Sequence, residues 1–155
     1  MRRKRKYKKE HNPDVQFNSV ALGRFVNYLM KNGEKSVAEK VLYKAFNKIQ
    51  KETESDPITV FEKALENVSP LIEVVSKRVG GANYQVPREV RPERRFFLGC
   101  NWIIEAATAK KGKPMADKLA EEIIAAYKNE GAAIKKKQNV HRMAEANRAF
   151  AHFAR

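Results

Sequence analysis

The chain has 155 residues, 43% of them hydrophobic, and a formal net charge of +14. This length suits one domain that buries roughly 70% of its unfolded surface, and eight Phe among the apolar residues exclude wholesale disorder. A single cysteine, Cys100, excludes an intrachain disulfide and a cysteine-based zinc site; no segment nears the ~18 apolar residues of a membrane span; and a pI of about 10.0 points to a polyanionic partner.

Residues 1–18 carry no apolar period and are expected to be a basic N-terminal tail. Arg2, Arg3, Lys4, Arg5, Lys6, Lys8 and Lys9 crowd its start without a carboxylate, and such a block repels itself until a counter-charge orders it. His11-Asn12-Pro13-Asp14 follows in place of an apolar stretch, so no leader peptide is expected. The chain is expected to stay in the cytoplasm, where it is made.

A first helix is predicted after the N-cap Ser19, with Leu22, Phe25, Val26 and Leu29 on one stripe and Asn32-Gly33 closing it. Ser36-x-x-Glu39 reads as a capping box for a second helix, with Val37, Val41, Leu42, Ala45, Phe46 and Ile49 facing inward. Asp56-Pro57 supplies the N-cap and first position of a third helix. Its inward residues are Ile58, Phe61, Leu65 and Val68, and Ser69-Pro70 ends it.

The period then changes. Ile72–Val79 and Tyr84–Val90 are rich in β-branched residues and flank Gly80-Gly81-Ala82-Asn83, which predicts a hairpin over 72–90 with Asn83 and Tyr84 at its tip. It would reach roughly 20–25 Å from the body. Tyr84 is placed either to stack on an unpaired base or to pack across the ribbon on Val79 or Val86. Pro87 suits an unpaired edge.

After Arg91-Pro92 a fourth helix is apolar nearly all round, from Phe96 to Ile104, and so central, with Cys100 as a buried hydrophobe. Lys113-Pro114 opens a fifth, with Met115, Leu119, Ile123, Ile124 and Tyr127 inward and Gly131 past its end. The last is expected from about Lys137 to the terminus, carrying Val140, Met143, Ala144, Phe150 and Phe153. The expected architecture is mainly α: a six-helix single domain over 19–155, with one protruding two-stranded antiparallel β-hairpin between helices three and four.

No catalytic constellation is present. His11, His141 and His152 have no ligand partner three or four residues away, Gly80-Gly81 is not followed by Lys-Ser/Thr, and no serine sits in a nucleophile elbow. No enzyme activity, metal, cofactor or small-molecule substrate is expected. The charges are segregated instead. Glu52, Glu54, Asp56, Glu62, Glu66 and Glu73 share their stretch with one cation, Lys63. Beyond the tail, cations gather as Lys77, Arg78, Arg88, Arg91, Arg94 and Arg95; as Lys110, Lys111, Lys113 and Lys118; and as Lys135, Lys136, Lys137 and Arg142. A lone surface lysine is usually just solvated. Four clusters, with Arg dominant around the hairpin, point to nucleic acid gripped through phosphates. RNA read by shape is the first candidate; an architectural DNA-binding protein whose β-arm enters the minor groove is the alternative.

Four stretches resemble a known family. They are Arg78-Val79-Gly80-Gly81, Tyr84-Gln85-Val86-Pro87, Glu89-Val90-Arg91-Pro92, and Val140-His141-Arg142-Met143-Ala144-Glu145-Ala146-Asn147 with Phe150-Ala151-His152. Together with Phe25-Val26-Asn27 and Ala64-Leu65-Glu66-Asn67-Val68, they resemble the seventh small-subunit ribosomal protein of bacterial type. The resemblance implies a helical domain with a projecting hairpin and binding to the 3′ major (head) domain of 16S-type rRNA, where members start head assembly. It also implies a place near the exit-site tRNA and the messenger exit, contact with the eleventh small-subunit protein, and control of the family's own messenger. Carried onto this chain, the RNA-facing set would add Lys35 to the clusters above. Val75 stands where relatives often carry a cation.

Overall fold

The computed structural model describes residues 11–154, with the side chain of Ala154 excepted. The tail cations from Arg2 to Lys9 lie outside the described residues. The elements are α1 (Val20–Leu29), α2 (Lys35–Thr53), α3 (Pro57–Val68), β1 (Ile72–Val79), β2 (Ala82–Glu89), α4 (Pro92–Ala109), α5 (Met115–Tyr127), α6 (Ala132–Ala146) and a C-terminal 3-10 helix, Arg148–Ala154. The mainly α class and the hairpin between α3 and α4 are as expected; the 3-10 helix is an addition. The chain divides into two compact units that meet in sequence inside α2, between Lys40 and Val41.

In the first unit Leu22, Phe25, Val26 and Leu29 are buried, as the period predicts. Asp14, also buried, organises the approach to α1. Its Oδ2 accepts from the amides of Gln16 and Phe17, both at 3.1 Å, and its own amide donates to Ser19 O at 3.0 Å. Gly23 is glycine of necessity, since a Cβ there would lie 2.5 Å from Asn12 O. Three local expectations fail. Ser19 makes no side-chain cap bond. Helix α1 stops at Leu29, before Asn32-Gly33, whose positive φ values (52° and 78°) build a separate turn closed by Glu34 N donating to Lys31 O. Ser36 lies inside α2 because Ala38 N already donates to Glu34 O, so there is no capping box; Glu39 pairs with Lys35 instead, at 3.7 Å. Val37 is exposed and Ala38 takes the inward position.

In the second unit Leu42, Ala45, Phe46 and Ile49 of α2 are buried, as are Val60, Phe61, Ala64, Leu65 and Val68 of α3. Each large one contributes about 1.5–3 kcal/mol by leaving water. Asp56 caps α3 by accepting from Thr59 N at 3.2 Å, and Pro57 fills the first position. Helix α3 packs on α4 and α5, and α6 packs on α4. Gly99 permits the close α3–α4 approach, because a Cβ would meet Leu65 Cδ1 at 2.9 Å. Helix α4 is central only in its second half. Cys100, Trp102, Ile103, Ala106 and Ala107 are buried, but Phe96, Phe97 and Leu98 are half-buried. Tyr127 and Met143, expected inside, are exposed.

Three polar side chains tie the helix ends together. Glu122, fully buried, accepts from Ala133 N at 3.0 Å and so caps the start of α6. Asn67 donates to Ala126 O and Tyr127 O, both at 3.1 Å, at the end of α5. Lys137 donates to Asn67 O at 2.6 Å at the end of α3. Each satisfies a backbone group that a helix end leaves without an intrahelical partner. Helix α6 begins five residues before the expected Lys137 and stops at Ala146 because Asn147 turns back, both its amide and its Nδ2 donating to Met143 O. The terminus is therefore not one continuous helix.

Candidate nucleic-acid interface

The ribbon has a two-residue turn. Gly80 and Gly81 both take positive φ (57° and 91°), the conformation whose twist matches that of paired strands. Ala82 thus pairs with Val79, Asn83 with Arg78 and Tyr84 with Lys77. Asn83 and Tyr84 are in the ladder, not at the tip, and strand alternation sends them to opposite faces. Pro87 is likewise a ladder residue, opposite Val74.

One face carries Lys77, Tyr84 and Val86, and the C-terminal 3-10 helix covers it. The ring of Tyr84 lies 5.2 Å from that of Phe150 and 5.4 Å from that of Phe153, and Lys77 Nζ donates to Phe153 O at 2.6 Å. Val86 is 2% exposed. Tyr84 thus meets the aromatic rings of the 3-10 helix, and the ribbon is braced along this face. The other face presents Ser76, Gln85, Arg78 and Asn83, all exposed. Arg78 and Asn83 are direct cross-strand neighbours there.

At its root the ribbon is pinned twice. Val90 N donates to Leu71 O at 3.0 Å, and Leu71 N donates to His141 Nε2 at 3.3 Å. Burial, followed by the nearby Lys137 charge, holds the His141 pKa below its ordinary value, which keeps the ring nitrogen available as an acceptor. Beside the root Glu73, Arg88, Glu89, Arg91, Glu93 and Arg94 line an open cleft of about 300 Å³. Arg94 is committed within it: Nε sits 3.3 Å from Glu73 and the guanidinium lies over the Phe97 ring at 5.0 Å. Glu73 is opposite Arg88 in the ladder, yet its ion pair goes to Arg94, which leaves Arg88 and Arg91 exposed.

The remaining predicted cations fall into two groups. Lys137 is occupied at the end of α3; burial first, then Arg95 close by, lowers its pKa. Lys110 pairs with Glu122 at 2.9 Å and with Glu121 at 3.9 Å. Lys113 pairs with Glu121 at 2.5 Å, which raises the lysine pKa and lowers that of the carboxylate. With Lys110 and Lys113 both paired, most of the charge in the loop before α5 is offset, while Lys48 of α2 holds Asp117 of α5 at 3.1 Å. Lys35 is exposed but faces Glu39. By contrast, Lys111, Lys135, Lys136 and Arg142 are exposed, and Arg95 and Lys118 half-buried; none of these six forms an ion pair among the described residues. Among the described residues no group of His, Cys, Asp and Glu could hold a metal, and no helix is long and apolar enough to cross a membrane.

Comparison with known proteins decides the family. The model of the ribosomal protein S7p/S5e family matches residues 1–148. The chain is 56% identical over 153 residues to the small ribosomal subunit protein uS7 of Thermotoga maritima, covering 99% of each. It is 54% identical over 153 residues to the protein of that name in Francisella tularensis subsp. holarctica, covering 98% of each. The chain belongs to the ribosomal protein S7p/S5e family. The stretches that carried the resemblance have visible work in this S7p/S5e member. Gly80-Gly81 make the turn, His141 pins the ribbon root, Ala144 is buried on α6, and Asn147 ends that helix.

Sequence reasoning missed Glu122 and the cover on the ribbon. Glu122 directly follows Glu121, which stays partly exposed, and nothing in the sequence tells the two carboxylates apart. The three-residue spacing of Phe150 and Phe153 is visible in the sequence, but it looks the same as a core stripe.

Proposed function

We propose that this chain binds the head (3′ major) domain of 16S-type rRNA and supports assembly of the subunit head. As a family member it is a structural constituent of the small ribosomal subunit and not an enzyme. The observation that carries the RNA reading is the uncovered ribbon face with Arg78 and Asn83, beside a root where Arg88 and Arg91 keep no carboxylate partner among the described residues. Guanidinium groups in that state can grip phosphates in two bonds. A-form RNA hides its major groove, so shape and backbone select the site.

The same reading puts the ribbon near the exit-site tRNA and the messenger exit, and the chain beside the eleventh small-subunit protein. It assigns RNA contacts to Arg78, Asn83, Arg88, Arg91, Arg95, Lys111, Lys118, Lys135, Lys136 and Arg142, with the tail and Lys35. It withdraws Lys110, Lys113 and Lys137 to structural roles and leaves Arg94 as the residue that holds Glu73.

The test is a footprint on naked head-domain rRNA with duplex DNA as competitor. Protection of one helix junction that excess duplex DNA does not displace supports the reading. Equal displacement by DNA contradicts it and favours a minor-groove β-arm.

A further inference from the structure

The C-terminal 3-10 helix is poorly suited to stand alone. Seven residues exceed the usual length of such helices, whose hydrogen bonds are badly aligned. Only Phe150 and Phe153 of the segment are even half-buried among the side chains described. At its start Arg148 pairs with Glu145 of α6 at 3.6 Å, and its contacts with the ribbon include two aromatic approaches to Tyr84 and the Lys77 ammonium on the Phe153 carbonyl. Asn147 ends α6 immediately before it, so the segment is a separate element from that helix.

Both contacts are ones that RNA makes better. A phosphate oxygen is a stronger acceptor for an ammonium than a neutral carbonyl. A base offers Tyr84 a flat π-face in place of two tilted rings, at 53° and 40°. Lys77 and Tyr84 face each other across the ladder, so one nucleotide can meet both.

We propose that the Lys77–Tyr84 face of the ribbon is a second, latent site for single-stranded RNA, and that the segment Arg148–Ala154 is a displaceable cover over it. This rests on the RNA reading above but concerns the opposite face from Arg78. With the cover closed, the apparent affinity of this face is reduced by the fraction of molecules that are open. A face open one time in ten therefore gains at most about tenfold when the cover is removed.

The experiment uses the full chain and an oligouridylate about twelve nucleotides long. In the free protein, nuclear Overhauser contacts join the Tyr84 ring to Phe150 and Phe153; in the saturated complex they should vanish. The F150A/F153A variant should bind the oligomer more tightly, by up to about tenfold, and adding Tyr84→Ala should abolish the gain. Ring contacts that persist in the saturated wild-type complex overturn the proposal, whatever the variant does. So does an F150A/F153A variant that binds no better while Arg78 still contributes, which leaves the RNA reading intact. A wild-type chain that fails to bind either the oligomer or head-domain rRNA overturns both.

Discussion

The helices from α3 to α6 and the ribbon use their charged residues in opposite ways. Around the helices several cations meet carboxylates or helix ends: Lys110 meets Glu122, Lys113 meets Glu121, Lys137 meets the last turn of α3. On the ribbon and at its root, Arg78, Arg88 and Arg91 are exposed without such partners among the described residues, and in the strands Val86 alone is buried. The contrast shows why counting cations overstates an interface. A lysine already held by a carboxylate has its charge largely offset there and attracts a phosphate less strongly. Changes in the helix core and at its paired charges should therefore read out in stability, and changes on the outer ribbon face in RNA affinity.

The largest effect should come from Trp102→Ala. The indole is buried in α4, and its loss leaves a cavity that costs about 3–5 kcal/mol; an unaltered melting temperature would break the helical half of the comparison. Glu122→Ala should cost about 2–3 kcal/mol, since it frees a buried amide and strips Lys110 of its partner, and denaturant unfolding would measure it. Arg78→Ala should weaken head-domain RNA binding roughly tenfold, about 1.4 kcal/mol, with no change in melting temperature. A fall in stability instead would move Arg78 to the structural group.

His141 joins the two regions, and its effect is smaller. Its folded pKa lies below the ordinary 6.5, so the unfolded chain takes up the proton first as pH falls. The stability associated with the neutral ring is complete above about 6.5 and is lost on acidification through the lower, folded value. Protection of the Leu71 amide from hydrogen exchange, relative to its intrinsic rate at each pH, should fall over that range, and His141→Gln should remove the dependence. The smallest effect is a null one: Lys113→Ala should leave RNA affinity unchanged, because its ammonium is already held by Glu121.

Much of this was legible in sequence because local rules carried it. The Leu22–Leu29 stripe, Asp56-Pro57 and the alternation around Gly80-Gly81 each follow from a period or a backbone preference acting within a few residues. What was not legible depends on residues far apart in the chain. Asn147 ends a helix whose apolar period runs on into Phe150 and Phe153. Tyr84 meets rings more than sixty residues away. Lys110, Lys113 and Lys137 read as RNA cations until the fold brings Glu122, Glu121 and the end of α3 to them. Arg78 was legible, since strand alternation alone sets its face once the turn is known.

The salt dependence of binding to head-domain rRNA tests the central division most directly. Removing a cation that neutralises one phosphate should flatten the slope of log affinity against log salt by about one. The double variant R78A/R91A should therefore fall short of the wild-type slope by about two, while K113A matches it. Equal slopes for all three proteins, or a flattening in K113A as large as in the arginine variant, would contradict the claim that cations without a carboxylate partner, such as Arg78 and Arg91, and not paired ones such as Lys113, hold the RNA.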